Sequence, residues 1–366
     1  MTVQEVLQLN LIEKQFQESK QFFKTHQTKD IKFRKQQLKL LSKSIKDHET
    51  ELLESLKIDL GKGSVEAYAT EIGILLKSIK TARKELKNWA KTKQVDTPLF
   101  MFPSKSYIKP EPYGTILIIG PFNYPVQLLF EPLIGAIAAG NNAIIKPSEL
   151  TPHVAQVVRK VIEDVFASDF VAVVEGGVEE TQTLINLPFD YIFFTGSENV
   201  GRIVYEAASK NLVPVTLELG GKSPVIVDET ANIKVASDRI SFGKFTNAGQ
   251  TCVAPDYILV NRKVKNELIQ AFKQSIEEFY GKNIQNSPDF GRIVNTKHFN
   301  RLSELLAIHR NEVIFGGHTD ENEQYIEPTI LDGITPQSKI MEEEIFGPLL
   351  PIIVYDDFNE AIDIIQ

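Results

Sequence analysis

The sequence predicts an α/β protein built on a parallel sheet with helices on both faces. Near-continuous apolar runs carry that reading: TILIIG (115–120), NAIIKP (142–147), FVAVVEG (170–176), YIFFTG (191–196) and VTLELGG (215–221) alternate with stretches of helical spacing. Strands apolar on both sides are those covered on both sides. Composition agrees: 366 residues, 42% hydrophobic and 24% charged, are ordinary for a globular chain, with length for about two to three domain-sized units.

In chain order, residues 4–60 and 64–92 place apolar side chains at helical spacing, with Leu38, Leu41, Ile45, Leu52, Leu53 and Leu56 in the first stretch and Ile72, Leu75, Leu76, Ile79, Leu86 and Trp89 in the second. Between 95 and 112 the text DTPLFMFPSKSYIKPEP gives two short alternating runs around a turn near Pro103–Lys105, a two-stranded excursion. A lone hairpin cannot bury itself, so it is expected to lie against another part of the molecule or another subunit. The five apolar strands follow over 113–227. A helix at 232–246 then leads through NAGQTCVAP to the strand DYILV and a helical stretch at 262–280. At the end, Phe358, Ala361, Ile362, Ile364 and Ile365 open an amphipathic helix that stops at Gln366 without a cap. That reads as a C-terminally truncated chain.

Several function classes drop out. No window reaches the roughly 18 apolar residues of a membrane helix, and charge runs through the first 30 residues where a secretory signal would be apolar. A single cysteine, Cys252, excludes an intrachain disulfide and a multi-cysteine metal site, and the six histidines lack zinc-hydrolase spacing, so no metal is expected. These features point to a cytoplasmic protein. Net charge is −8, with +8 over residues 1–110 (21 basic, 13 acidic) and −16 over the remainder (19 basic, 35 acidic). The basic third interleaves Lys43, Lys46 and Lys57 with Glu49 and Glu54, which reads as solvated helix faces rather than a nucleic-acid surface.

Four places could carry chemistry. In YIFFTGSENVG, a strand ends before Gly196, Ser197 can cap the next helix and Gly201 lies in its first turn. Such a helix start suits a pyrophosphate, although the spacing fits neither the G-x-G-x-x-G fingerprint nor a P-loop, and a glycine serving only the turn explains it equally well. Asn123, just past the first strand, could donate to a developing oxyanion or be a turn residue. Lys146 and Glu149 follow the second strand and could hold ribose hydroxyls. Alternation along VPVTLELGG places Glu218 inside an apolar strand, where burial would favour the protonated form and suit a general base, unless a cation pairs it. Cys252 stands between Gly249 and Pro255 in a loop of small and polar residues (Asn247, Gln250, Thr251), as a presented nucleophile would, or as a small buried hydrophobe.

Six segments in order, IIGPFNYP, GAIAAGN…IIKPSE, FFTGSENVG, TLELGGKSP, NAGQTCVAPDY and EEIFGP, resemble the aldehyde dehydrogenase superfamily, and within it the class 3, or fatty-aldehyde, branch, from about residue 10 to 366. The resemblance implies a Rossmann-like NAD(P)-binding domain (1–94 and 113–213), a bridging and oligomerisation hairpin (95–112) and an α/β catalytic domain from 214 to 366, incomplete at its C-terminus, in a parent that forms a homodimer. It implies Cys252 as nucleophile, Asn123 in the oxyanion site and Glu218 as the base for thioester hydrolysis. It assigns Lys146 and Glu149 to the adenosine ribose, Gly196, Ser197 and Gly201 to the pyrophosphate, and Glu344 with Phe346 to the nicotinamide side. The activity implied is oxidation of a medium- to long-chain or bulky apolar aldehyde to the acid, with NAD preferred and NADP accepted. The alternatives are a coenzyme-A-acylating dehydrogenase and an inactive dinucleotide-binding remnant.

Overall fold

The computed structural model describes residues 3–366, with side chains from residue 10 onward. The chain forms two compact units: one holds the chain up to Ser55 and Tyr68–Glu218, the other Leu56–Ala67 and Leu219–Gln366.

The helical N-terminal text resolves into α1 (Val3–Lys24), α2 (Ile31–Asp47), α3 (Glu49–Leu60), α4 (Ser64–Ala67), a π-helical turn (Tyr68–Ile72) and α5 (Gly73–Trp89). Asp30 starts α2 by accepting from Lys32 N at 2.9 Å, and Leu38, Leu41 and Ile45 face inward, as their spacing predicts. In α5, Leu75, Ile79 and Leu86 are buried and Trp89 is exposed. The hairpin pairs β1 (Lys93–Val95) with β2 (Ser106–Ile108) antiparallel, and Leu99, Phe100 and Phe102 between them are exposed.

The sheet of the first unit comprises β3 (Thr115–Ile119), β4 (Asn142–Lys146), β5 (Val171–Val173), β6 (Tyr191–Thr195) and β7 (Val215–Glu218), in the order β5-β4-β3-β6-β7 and parallel throughout. Crossovers run through α6 (Gln127–Ala139), α7 (Pro152–Glu163), α8 (Val178–Asn186) and α9 (Glu198–Lys210). Every residue of β3 and β4 is buried, which explains the apolar runs at 116–119 and 143–145. Because the strands run one way, their carboxyl ends share one edge. The order reverses beside β3, the switch point at which open α/β sheets bind ligands.

The second unit contains β8 (Pro224–Val227), α10 (Ile233–Phe245), β9 (Tyr257–Asn261), α11 (Lys265–Tyr280), α12 (Thr296–Ile308), β10 (Val313–Phe315), β11 (Thr319–Asp320), β12 (Tyr325–Ile326), β13 (Thr329–Leu331), β14 (Leu349–Tyr355) and α13 (Phe358–Ile365). Its sheet order is β10-β13-β14-β9-β8, with only β10 antiparallel to its neighbour. Pro351 sits inside the central strand β14 without breaking it. Residues 349–351 pair with β13 and 352–355 with β9, so the proline falls where the strand passes from one neighbour to the other. Asp357 caps α13 by accepting from Asn359 N at 2.8 Å.

Candidate active site

On the carboxyl edge of the first sheet, Asn123 is buried in the loop joining β3 to α6. That loop is fixed from behind. Glu71, buried in the π-helical turn, accepts from Val126 N at 2.9 Å and Gln127 N at 3.1 Å. It thereby satisfies two amides at the start of α6 that have no partner within the helix. At the end of β4, Lys146 is buried and pairs with Glu149 at 2.7 Å. Partial burial alone would raise the Glu149 carboxyl, but the hydrogen bond and charge of Lys146 outweigh it and leave it below its ordinary value.

β6 ends at Thr195, and Gly196 N donates to Glu218 O at 3.0 Å. A Cβ on Gly196 would meet the Phe194 ring at 2.6 Å, so any larger residue there would have to push that ring aside. Ser197 is the N-cap of α9, accepting from Val200 N at 3.5 Å, and Gly201 is buried within that helix. Glu218 differs from expectation. It is exposed rather than buried, because β7 is the edge strand of its sheet and Glu218 its last residue.

The Cys252 loop in the second unit has unusual backbone geometry. After α10 the chain takes three successive positive φ values: 54° at Asn247, 51° at Ala248 and 75° at Gly249. Left-handed alanine is strained and persists only where its surroundings enforce it. Here Asn247 N donates to Glu66 Oε1 at 3.0 Å, and the buried Gln250 side chain bonds Asn247 O at 3.1 Å, Arg292 O at 2.9 Å and Val294 N at 3.0 Å. The half-buried Cys252 follows two residues later, on a loop tied down by at least four hydrogen bonds.

Lys244, near the end of α10, is also buried. Burial lowers its ammonium from 10.5 to about 8, with Lys222 pushing the same way and Asp256 and Glu344 opposing. Between those two values the unfolded chain binds the extra proton, so this lysine's contribution to stability rises with pH through the window and is least favourable below about 8. Urea midpoints should therefore move in favour of the parent over Lys244→Met as pH rises from about 8 to about 10. A constant difference would contradict the titration.

Glu344 is half-buried against the Gly220–Gly221 backbone: a Cβ on Gly220 would fall on its Oε2, and the Gly221 amide hydrogen-bonds it. Burial raises its carboxyl, Asp256 adds to the rise, and Lys244 and Arg301 oppose it. Phe346, half-buried, holds φ at 46°, a second strained position next to Gly347. Of the predicted residues, the first unit therefore holds Asn123, Lys146, Glu149, Gly196, Ser197, Gly201 and Glu218, and the second Cys252, Glu344 and Phe346. Sequence reading missed Glu66, Glu71, Lys222, Asp256 and Arg301, whose partners lie far along the chain. Lys222, directly after the glycine pair, carries the one local hint.

Residues 4–366 match the sequence profile described as the aldehyde dehydrogenase family. The chain is 70% identical over 358 residues to the 4,4'-diaponeurosporen-aldehyde dehydrogenase of Staphylococcus aureus, covering 98% of this chain and 78% of that protein. It is 43% identical over 355 residues to aldehyde dehydrogenase family 3 member A2 of Macaca fascicularis, covering 97% and 73%. A solved structure described as the substrate-bound state of Staphylococcus aureus AldH superposes with a TM-score of 0.94 at 70% identity, over 96% of this chain and 77% of that one. The α/β reading and the resemblance in the motifs are thus borne out, and the chain belongs to the aldehyde dehydrogenase family, oxidoreductases that use NAD or NADP.

Proposed function

We propose that this protein oxidises a bulky apolar aldehyde to its carboxylic acid with NAD as the preferred acceptor and NADP as a second. The observation that carries the reading is the Cys252 loop, where strained left-handed backbone and converging hydrogen bonds set out a single thiol. The relative named for 4,4'-diaponeurosporen-aldehyde supports the substrate class. The carboxyl edge of the first sheet fits a dinucleotide. Thr195 Oγ1 is buried there without a hydrogen-bond partner among the described residues, beside the Gly196 turn and the N-terminus of α9. Lys146 and Glu149 would hold the adenosine ribose, Gly196, Ser197 and Gly201 the pyrophosphate, and Glu344 with Phe346 the nicotinamide side. An acidic residue at the adenosine ribose disfavours a 2′-phosphate, hence the preference for NAD.

Bound NAD or NADP supplies the hydride acceptor. The chain's own residues do the rest. The Cys252 thiolate adds to the carbonyl carbon to give a thiohemiacetal, and the Asn123 amide with the Cys252 N–H holds the oxyanion. Oxidation leaves an acyl thioester on Cys252. Glu218 takes a proton from the water that attacks this thioester, releasing the acid and the thiol. Its exposed position suits it to meet water, and the presence of a carboxylate able to activate water favours hydrolysis over transfer of the acyl group to coenzyme A, which needs no such base. The exposed apolar residues Leu99, Phe100 and Phe102 support pairing of two copies through the hairpin, within a cytoplasmic enzyme. No helix among the described residues is long and apolar enough to cross a membrane.

Glu218→Gln tests the base. Rapid mixing with NAD and a long-chain aldehyde should give a burst of about one NADH per site, then a steady rate lowered roughly 10²–10⁴-fold. Turnover at the parent rate without a burst would remove Glu218 from hydrolysis.

A further inference from the structure

The segment carrying Glu344 is gripped on both sides by charged side chains from elsewhere in the second unit. Lys222 Nζ donates to Glu343 O at 2.9 Å and to Ile340 O at 3.3 Å. Asp256 Oδ1 accepts from Ile345 N at 3.0 Å, and Arg301 Nη2 donates to Ile345 O at 2.6 Å. Lys222 and Asp256 are also ion-paired with each other, their side chains 21% and 4% exposed. The carbonyl before Glu344 and both peptide groups of the residue after it are therefore held by ionic side chains, while the Glu344 carboxylate itself turns onto the glycine pair 220–221.

Burying charges in this way adds little net stability, since desolvation consumes much of the attraction. The better-attested use of such pairs is to fix register. Asp256 is well placed for that. It stands four residues after Cys252 at the entrance to β9, and its own N–H donates to Ser223 O at 2.9 Å. One carboxylate thus fastens three stretches of chain: that following the nucleophile, that following the glycine pair and that bearing Glu344.

We infer that the Lys222–Asp256 pair is a positioning device for Glu344, holding its carboxylate in the place from which it binds the cofactor. The inference rests on the reading of Glu344 as a cofactor carboxylate. Because the pair grips the peptide groups and not the carboxylate, its loss leaves Glu344 present but misplaced. Cofactor affinity should fall while the KM for aldehyde is little changed.

The test compares Asp256→Asn, Lys222→Met and Glu344→Gln in the full chain by equilibrium NADH binding, read from NADH fluorescence, by KM for NAD against kcat, and by thermal melting. Asp256→Asn should weaken NADH binding about tenfold, the equivalent of one hydrogen bond to a charged group. The KM for NAD should rise with it. The double variant Asp256→Asn/Lys222→Met should lose less affinity than the two single losses combined, as for residues acting as a unit. Folded Asp256→Asn and Lys222→Met proteins that bind NADH within about twofold of the parent, when Glu344→Gln does not, would overturn the positioning role and leave the Glu344 reading standing. Parent-like binding in Glu344→Gln would overturn that reading and the inference with it. If neither Asp256→Asn nor Lys222→Met folds, the pair is general support for the unit and the inference fails.

Discussion

Cys252→Ala is expected to abolish aldehyde-dependent reduction of NAD, with a loss of roughly 10⁴-fold or more, the scale seen when a covalent nucleophile is removed. The fold should survive. Alanine keeps the Cβ, and the loop is shaped by the backbone at Asn247, Ala248 and Gly249 and by the bonds that Glu66 and Gln250 make to main-chain atoms. Stability should therefore stay within about 1 kcal/mol of the parent, and NADH should still bind. The assay is NADH formation with a long-chain aldehyde, alongside melting and cofactor titration. Retention of more than about a hundredth of the parent rate in a folded variant would show that chemistry proceeds without a covalent thiohemiacetal.

Gly249→Ala should be among the most damaging single-methyl changes in the second unit. Its φ of 75° lies where an L side chain is strained, and the added Cβ would overlap the Gly347 carbonyl oxygen and stand 3.0 Å from Lys244 O. Both obstacles are backbone, so neither can move aside as a side-chain tip would. The conformational term costs about 1 kcal/mol and the overlap about 1–3 kcal/mol more, for a loss of roughly 2–4 kcal/mol. Any relief must displace either the Cys252 loop or the 346–347 turn, so activity should fall further than stability. Urea unfolding and iodoacetamide labelling of Cys252 measure the two separately. A variant with parent-like stability and labelling rate would contradict the close packing.

The sheets show what the sequence made legible. β3 and β4 are readable because burial on both faces leaves the apolar runs at 116–119 and 143–145, and β6 because it keeps the run at 191–194 although every second residue is only half-buried. Short β10 to β13 give almost no periodicity, and β14 carries a proline that argues against a central strand until its change of partner is seen. At the site, Cys252, Asn123 and Gly196 stand in distinctive local text and can be singled out by eye. Glu218 also stood out, but alternation alone placed it inside a strand, and only the sheet order shows the edge position that exposes it. Glu66, Glu71 and Asp256 are ordinary acidic residues in the sequence. Their roles arise from contacts 181, 55 and 89 positions away, which no local pattern encodes.

The π-helical turn at Tyr68–Ile72 gives the chain one residue of slack inside a helix. Such a turn accommodates one residue more than an α-helix would over the same span. Deleting one residue there would let the helix close into regular α geometry over the same span, whereas a deletion from a regular α-helix turns the residues on either side by about 100° relative to one another. Exposed helices usually absorb a substitution, and loops usually absorb an insertion or deletion. Here the helix itself carries the spare residue, so a one-residue deletion at the exposed Ala69 should be tolerated far better than a one-residue deletion within the regular helix α5, as thermal melting of the two variants would show.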